Sequence, residues 1–396
     1  MTDVKRSRVR VFSTFALAAA LLGTVLPTVA SSAAAAPVTP VVPSALPMGP
    51  ATKPAARIVG KQLLRPGKSA VSLAPYGNGV SVSPLFRAKG GYLIYITRFE
   101  GRPINGKVAG YRIIFISDSG RKREVARLSP YKVTAVAPDG RTFIGSKTRY
   151  STKGKFLQGA VLRRIRLSDG RPVGSTLTIA GYPDMIAVTA ERALMGYVPL
   201  NGRHDGEPRT VWWSTQSGRV RVVAANPKVP PGMPDYVQGA SLGAHAFSVI
   251  KHGRQVVLDT RTGDRLWKTF SGEAVRTFSP DGKKVVSVAK PLGAGHEEGD
   301  GYLVRRLYVR NARTGRLLVT FTGYFRGIGL EEHGAPSHWE SADSYFTYGH
   351  DTGFGPDDWP ASGSEIPIRC RVSTSTCERV PDTSTLKGTW VTPKSS

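Results

Sequence analysis

The sequence is poor in acidic residues. It contains 28 aspartates and glutamates against 55 lysines and arginines, which gives a net charge of +27. The imbalance is local, because Arg57–Ala180 has 5 acidic against 24 basic residues (net +19) and Ile328–Asp382 has 10 against 3 (net −7). A solvated, soluble surface would explain such a pattern, and so would attraction to a polyanion outside the cell.

The N-terminal region lacks an apolar run long enough to cross a membrane. The run Phe15–Leu26 has 12 residues, against about 20 for a spanning helix. Basic residues precede it and small residues follow at 30–36, the order typical of a secretory signal peptide. No cysteine follows the run and no arginine pair precedes it, which favours the general secretory route over a lipoprotein or twin-arginine route. We therefore expect a secreted, extracellular protein without a transmembrane span, cleaved near residues 30–36.

Convincing helical periodicity is also absent, and a repeated β-hairpin pattern takes its place. Each copy has an alternating apolar run, a turn rich in Ser, Thr, Asp and Gly, and a second run. The turn glycines are Gly120, Gly170, Gly218, Gly263 and Gly315, in steps of 50, 48, 45 and 52 residues, and Thr376 replaces the glycine in a sixth copy.

Another hairpin precedes each of these. VTAVAPDGRTFIGS (133–146) and VRTFSPDGKKVVSV (275–288) match closely and share Pro-Asp-Gly at the turn. Proline fixes φ there and Asp-Gly supplies a side-chain bond and a permissive backbone, so Ser279 and Asp281 are predicted to be turn residues rather than catalytic ones. Four short strands per unit predict an all-β fold, a single β-propeller of four-stranded blades.

The predicted organisation has three parts: a signal peptide (1–36), a proline-rich, extended and mobile linker (37–56) and a propeller (57–396). We expect six blades, at approximately 79–130, 131–182, 183–228, 236–272, 273–326 and 328–382. Seven is the alternative, because residues 57–73 read as a further hairpin that could form a seventh blade with residues 385–391.

The hexapeptide Phe278–Lys283 (FSPDGK) resembles the repeat signature of WD-repeat-like propellers of the TolB type, which are exported bacterial proteins. The resemblance covers six units over residues 80–382, and only two of them keep Pro-Asp-Gly. It implies the propeller fold. It carries over no partner and no functional residue, because propellers host many functions.

The two cysteines, Cys370 and Cys377, fall in the last hairpin. Aligned with the preceding copy, they face each other across it. An isolated pair in an exported protein most simply forms one disulfide. Zinc ligation is the alternative, although the six-residue gap is wider than that of a zinc knuckle.

The connections between the second and third strands of the blades are long, and so are two segments that join successive blades, 225–236 and 324–334. The first and last turns of each blade are nearly all tight, so a binding site is expected on the long-loop face. One such loop is basic and could hold phosphate or carboxylate polymers, although it could also be merely solvated. Its basic residues are Lys147, Arg149, Lys153 and Lys155.

Other loops of this face place histidine beside acidic residues. The candidate residues are His296, Glu297, Glu298, Asp300, His350 and Asp351. Converging carboxylates would suit Ca²⁺, but solvated acids are commoner, and we expect no metal or other cofactor. Trp359 could stack on a sugar, together with Phe354; the nearby Trp339, Tyr345 and Tyr348 are more typical of blade core.

These features favour a monomeric, non-catalytic scaffold whose partner is an envelope or extracellular protein or an anionic polymer. The alternatives are a metal-dependent hydrolase or lactonase and a glycan-binding module. Export and the absence of a nucleic-acid-binding module argue against a nucleic-acid partner.

Overall fold

The structure, a computed structural model, describes residues 35–51, 55–77, 84–100, 107–150, 157–201, 204–205, 209–225, 239–251, 254–289, 303–326, 337–351, 365–381 and 389–392. The chain divides into two compact units, Met1–Ala35 and Ala36–Ser396, and all described strands belong to the second. Within the described ranges the helical segments are two 3₁₀ turns, Pro43–Ala45 and Ala74–Tyr76. No helix in these ranges has the length and hydropathy of a membrane span.

The strands, in chain order, are β1 Val38–Pro40, β2 Arg57–Val59, β3 Gln62–Arg65, β4 Lys68–Ser72, β5 Leu85–Ala88, β6 Gly91–Glu100, β7 Lys107–Ser117, β8 Lys122–Ser129, β9 Lys132–Val136, β10 Thr142–Tyr150, β11 Leu157–Arg166, β12 Pro172–Ile179, β13 Gly181–Val188, β14 Arg192–Asn201, β15 His204–Asp205, β16 Arg209–Ser214, β17 Val220–Ala225, β18 Ala240–Ser241, β19 Ala246–Lys251, β20 Arg254–Asp259, β21 Arg265–Lys268, β22 Glu273–Phe278, β23 Lys284–Ala289, β24 Leu303–Asn311, β25 Leu317–Arg326, β26 His338–Trp339, β27 Ser344–His350, β28 Ile366–Arg371, β29 Thr376–Arg379 and β30 Thr389–Thr392.

The fold is an all-β propeller of four-stranded antiparallel blades. Blade I contains β5–β8, blade II β9–β12, blade III β13, β14, β16 and β17, blade IV β18–β21, blade V β22–β25 and blade VI β26–β29. We call the four strands of each blade A to D in chain order. The A strands of successive blades contact one another from β5 to β26, as expected where the A strands surround an axis.

A further four-stranded unit, the terminal sheet, joins the two ends of the propeller chain. Its order is β4-β3-β2-β30, and β30 also runs parallel to β5 of blade I. The hairpin at 57–73 therefore pairs with the C-terminal segment, as the seven-bladed alternative describes.

The A–B and C–D turns lie together on one face, which we call the tight-turn face. In six blades an amide of the C–D turn donates to a carbonyl of the A–B turn, at 2.7–2.9 Å. These bonds run from Asp118 to Gly90, Leu167 to Arg141, Thr215 to Glu191, Thr260 to His245, Ala312 to Lys283 and Val372 to Asp343. The B–C connections therefore leave from the opposite, long-loop face.

The Pro-Asp-Gly segment of blade V is a turn. Ser279 is fully buried, and its hydroxyl donates to Asp281 Oδ1 at 2.6 Å and accepts the Lys284 amide at 3.0 Å. Gly282 has φ = 71°, a conformation that costs glycine little. Both polar side chains of the segment are used in closing the bend.

Hydrophobic clusters between neighbouring blades form the core. Leu93 of blade I packs with Phe143 and Ile165 of blade II, all at most 3% exposed. The clusters between the following blades are built in the same way, and Trp213 and Phe321 are among their largest side chains. Because strand residues alternate in direction, each blade contributes one face to each neighbouring cluster.

A second contact between blades recurs on the tight-turn face. An outer strand donates a hydrogen bond to a carbonyl in the C–D turn of the next blade, at 2.6–2.9 Å. The donor and acceptor pairs are Lys68 to Asp118, Arg123 to Ser168, Ser175 to Thr215, Arg221 to Arg261 and Trp267 to Ala312. These hydrogen bonds thus fix the position of each blade's outer strand against the C–D turn of the next blade.

The proline-rich segment is extended, as expected, but it packs on the propeller rather than lying free. We call residues 37–50 the strap. Strand β1 runs parallel to β25, and the Val41 amide donates to the Thr322 carbonyl at 2.7 Å. The Thr39 hydroxyl then donates to the Ser375 carbonyl in the C–D turn of blade VI at 2.8 Å. Between blades V and VI the strap thus supplies the hydrogen bond to the C–D turn that an outer strand supplies at the other boundaries.

The strap continues along the outer edge of blade VI. Arg379 donates its amide to Pro47 and accepts the Gly49 amide, both at 2.8 Å. Gly349 allows the approach, because a Cβ there would lie 2.5 Å from Pro43 Cγ. Val41 is 4% exposed, and Leu46 packs on the same core cluster.

Cys370 and Cys377 form a disulfide between directly paired residues of β28 and β29. The bridge closes the hairpin whose turn lacks the glycine of the other copies.

Candidate functional site

The long-loop face is described at the ends of the B and C strands, where the predicted loops begin. Lys147, Arg149, His350 and Asp351 lie in this described part. The other sequence candidates, Lys153, Lys155, His296, Glu297, Glu298, Asp300 and Trp359, fall outside the described residues and stay predictions, as does Phe354.

Lys147 and Arg149 are exposed residues on one face of β10. Phe143 and Gly145 share that face; Phe143 packs in the blade I–II cluster, and a Cβ on Gly145 would meet Ile165 and Tyr131 of the same cluster. By strand alternation the two cations therefore point towards blade I. Among the residues that the structure describes, neither has a carboxylate within ion-pair distance.

Blade I presents aromatic side chains to the same place. Tyr95 and Tyr111 pack edge to face at 5.5 Å between ring centroids, and Leu93 and Tyr95 face blade II. Phe99 lies on the same face of β6, beside Val108 of β7, and the two are 40% and 45% exposed. Exposed apolar side chains thus extend the buried I–II cluster to the long-loop face.

Tyr150 lies at the long-loop end of blade II. It ends β10 and is 60% exposed. Burial, and next the electrostatic effect of Tyr150, raise the pKa of Tyr111 in blade I. We call Phe99, Val108, Lys147, Arg149 and Tyr150 the I–II patch. At neutral pH the hydroxyls of Tyr95 and Tyr111, whose pKa values are both raised, stay protonated and can donate hydrogen bonds.

His350 lies in a different, buried cluster. Arg326 binds both carboxylate oxygens of Glu365, with Nε 2.6 Å from Oε1, and its guanidinium lies 3.9 Å from the Tyr348 ring centroid. His350 is 6% exposed, and its Nε2 lies 3.6 Å from Glu365 Oε1 and has no hydrogen-bond partner among the described residues. Burial, with the help of Arg326, lowers the pKa of His350 against the opposing effect of Asp351, so the ring is neutral at pH 7.

This cluster has a structural role, because it joins blades V and VI. Arg326 ends the outer strand of blade V and Glu365 precedes β28 of blade VI, so their ion pair joins the two blades. Asp351 accepts the Ser44 amide of the strap at 2.8 Å. In the described ranges no three histidine, cysteine or acidic side chains group as metal ligands, so the Ca²⁺ hypothesis gains no support there.

Three aromatic residues of blade VI are core residues. Trp339, Tyr345 and Tyr348 are 9%, 5% and 4% exposed and therefore present no ring to a ligand. Among the described residues, Phe99 and Tyr150 are exposed aromatic side chains at the long-loop ends of the B strands, and neither was among the sequence candidates. A signal for them existed, because each stands beside an arginine within a predicted B–C loop.

The sequence also contains one nucleophile-elbow pattern, Gly-x-Ser-x-Gly, at Gly239–Gly243. Its serine, Ser241, is fully buried, donates to the Gly282 carbonyl at 3.2 Å and accepts the Ala244 amide at 3.0 Å. The segment is strand, turn and strand instead of the strand, turn and helix of an elbow. Ser241 is a turn residue.

Comparisons with known proteins are consistent with this picture but add little to it. Neither a family model nor a curated protein matches the sequence. The similar solved structures include an uncharacterized protein, lmo1340, of Listeria monocytogenes (10% identity, 87% of each chain, TM-score 0.47). They also include BamB of Moraxella catarrhalis (11%, 74% of this chain and 77% of that one, TM-score 0.36) and the oligogalacturonate lyase of Vibrio parahaemolyticus (12%, 78% and 88%, TM-score 0.45). At these values the likeness carries no argument about function, and the fold rests on the sheet topology.

Proposed function

We propose that this protein is an exported, non-catalytic propeller that binds an anionic polymer through the long-loop end of blades I and II. The observation that carries the proposal is the exposure of Lys147 and Arg149 on the face of blade II that points towards blade I, without carboxylate partners in the described part of the chain. Export and the TolB-type character remain predictions from the sequence.

Charge distribution supports the choice of ligand. The region Arg57–Ala180 carries a net charge of +19, so a long polyanion would meet a positive potential over two blades as well as the two strand-end cations. A rigid scaffold holds these cations in place, which lowers the entropy lost on binding. The alternative partner, an envelope protein, would use the same face.

The test replaces Lys147, Arg149, Lys153 and Lys155 with serine in the mature chain, residues 37–396. We expect thermal stability to stay nearly unchanged, because exposed charges contribute little. Retention on immobilised poly-L-glutamate and alginate at low salt should fall, and wild-type retention should fall with added salt because screening weakens the attraction.

The matched control removes four charges from the tight-turn face by replacing Arg171, Arg219, Lys283 and Arg316, all exposed, with serine. If this variant loses as much retention as the long-loop variant, net charge alone explains binding and the proposed site is wrong. If neither variant loses retention, the proposed function is wrong.

A further inference from the structure

Exposed aromatic rings are rare in the described part of the molecule. Among the large side chains that are exposed there, the aromatic ones are Phe99, Tyr150 and Phe270. Phe270 has a partner, because the Arg310 guanidinium lies 4.5 Å from its ring centroid. The other two belong to the I–II patch. A surface whose only task is to attract negative charge needs no exposed aromatic ring, since exposing one to water is unfavourable.

From this we propose that the ligand of the I–II patch is an acidic polysaccharide, which rests on the proposed function of polyanion binding. Lys147 and Arg149 would pair with the anionic groups of the chain. The rings of Phe99 and Tyr150 would pack against the apolar faces of its sugar rings. The hydroxyls of Tyr95 and Tyr111, protonated at neutral pH, lie on the same boundary between the blades and are suited to bond sugar hydroxyls.

The combination of groups separates this ligand from other polyanions. A polyphosphate or an acidic polypeptide would use the cations but has no stack of sugar rings for the aromatic side chains. A neutral polysaccharide would use the rings but leave the cations without a partner. A single-stranded nucleic acid would also use both parts, through its phosphates and its bases, but the predicted export argues against that partner. A sugar chain that carries acidic groups therefore fits the patch best.

The experiment compares alginate, a carboxylated polysaccharide, with poly-L-glutamate, a carboxylated polypeptide, as ligands of the mature chain. The variant Phe99→Ala with Tyr150→Ala should bind alginate about tenfold more weakly, which corresponds to about 1.4 kcal/mol for the two ring contacts together. Its binding of poly-L-glutamate should change less than about twofold. The variant Lys147→Ser with Arg149→Ser should bind both polymers more weakly.

Two controls accompany this comparison. Phe99→Tyr with Tyr150→Phe keeps both rings and should restore alginate binding. Val220→Ala with Val222→Ala removes two exposed apolar side chains of blade III, 44% and 51% exposed, and should leave alginate binding unchanged.

The outcomes distinguish the two proposals. We call the Phe99→Ala, Tyr150→Ala variant the ring-free variant and the Lys147→Ser, Arg149→Ser variant the cation-free variant. If the ring-free variant binds alginate normally while the cation-free variant does not, the polysaccharide assignment is overturned and polyanion binding stands. If the cation-free variant binds both polymers normally, polyanion binding through this patch is overturned. Equal losses of alginate and poly-L-glutamate binding in the ring-free variant would also overturn the polysaccharide assignment.

Discussion

Blades I–II and blades V–VI use their charged residues in opposite ways. In blades V–VI carboxylates form ion pairs with buried arginines. Glu273 binds Arg310, Glu365 binds Arg326, and Glu340 and Glu378 both bind Arg369. These arginine side chains are only 4–6% exposed. In blades I–II the three described pairs, Arg87–Asp118, Arg112–Glu124 and Arg166–Asp169, have arginine side chains 27–50% exposed.

The difference follows from the supply of acids. Blade VI has enough carboxylates to neutralise its buried arginines, whereas the region Arg57–Ala180 has 5 acids for 24 bases. Burying a cation without a carboxylate is costly, so most of the described cations of this region stay at the surface, where they can bind a ligand. Arg57 and Arg164 are buried all the same, and Arg164 donates to the Ala190 carbonyl and to the Thr142 hydroxyl. Charge therefore stabilises one side of the propeller and is available for binding on the other.

The largest expected effect tests the structural use of charge in blade V. Arg310 donates to both oxygens of Glu273, at 2.7 and 2.9 Å. Glu273→Ala would leave Arg310 buried without its counter-ion and should lower the free energy of unfolding by about 3 to 5 kcal/mol, measured by urea denaturation. Asp169→Ala in blade II removes an exposed partner and should cost at most about 1 kcal/mol. If the two substitutions lowered the free energy of unfolding equally, charge would not be used differently in the two regions.

The disulfide gives the next largest effect. Replacing Cys370 and Cys377 with serine should lower the free energy of unfolding by about 2 to 3 kcal/mol, because the bridge restricts the unfolded chain. Hydrogen exchange should rise mainly in blade VI, since blades depend chiefly on their neighbours. Mass spectrometry of unreduced wild-type peptides should find one cross-link, and a free thiol would contradict the pairing.

The strap allows a matched test on adjacent residues. Val41 is 4% exposed and Val42 is 53% exposed. Val41→Asp would place a charge against the core of blades V and VI and should lower the free energy of unfolding by about 2 kcal/mol. The loss is not larger because the strap can detach and bring the charge into water. Val42→Asp should be nearly neutral. Faster proteolysis between residues 37 and 50 in the Val41 variant alone would show that the strap has detached, and equal proteolysis of both variants would argue against its packing role.

The smallest effect concerns pH. The pKa of His350 is lowered in the folded state, so the unfolded state binds a proton more readily below pH 6.5. The stability that neutral His350 contributes is thus present above pH 6.5 and is lost as the pH falls towards the lowered folded-state pKa. Between pH 7.5 and 5.5 the melting temperature of the His350→Asn variant should fall less than that of the wild type. Arg326, Glu365 and Asp351 are the charged groups that act on the ring, and an unchanged pH dependence would mean that other groups, and not His350, determine it.

Some of these features could be predicted from local sequence. Pro-Asp-Gly at 280–282 has a turn-forming chemistry that acts within a few residues, so Ser279 and Asp281 were correctly predicted to be turn residues. The facing positions of Cys370 and Cys377 followed from the alignment of repeats and are confirmed. The strap was expected to be mobile because its sequence has no periodic pattern, but β25 and β29 offered it edges with which to pair.

The sequence by itself determined the strands, the turns, the four-stranded unit and the uneven charge, because alternation, turn chemistry and composition act over a few residues. Only the tertiary structure decided which residues share a surface. It brought Phe99 of blade I to the same long-loop end as Lys147 and Arg149 of blade II, buried Trp339 and Tyr348, and paired β30 with β2, more than 300 positions away along the chain. Contacts between blades depend on packing and on hydrogen bonds between distant segments, and these become fixed only when the sheets come together.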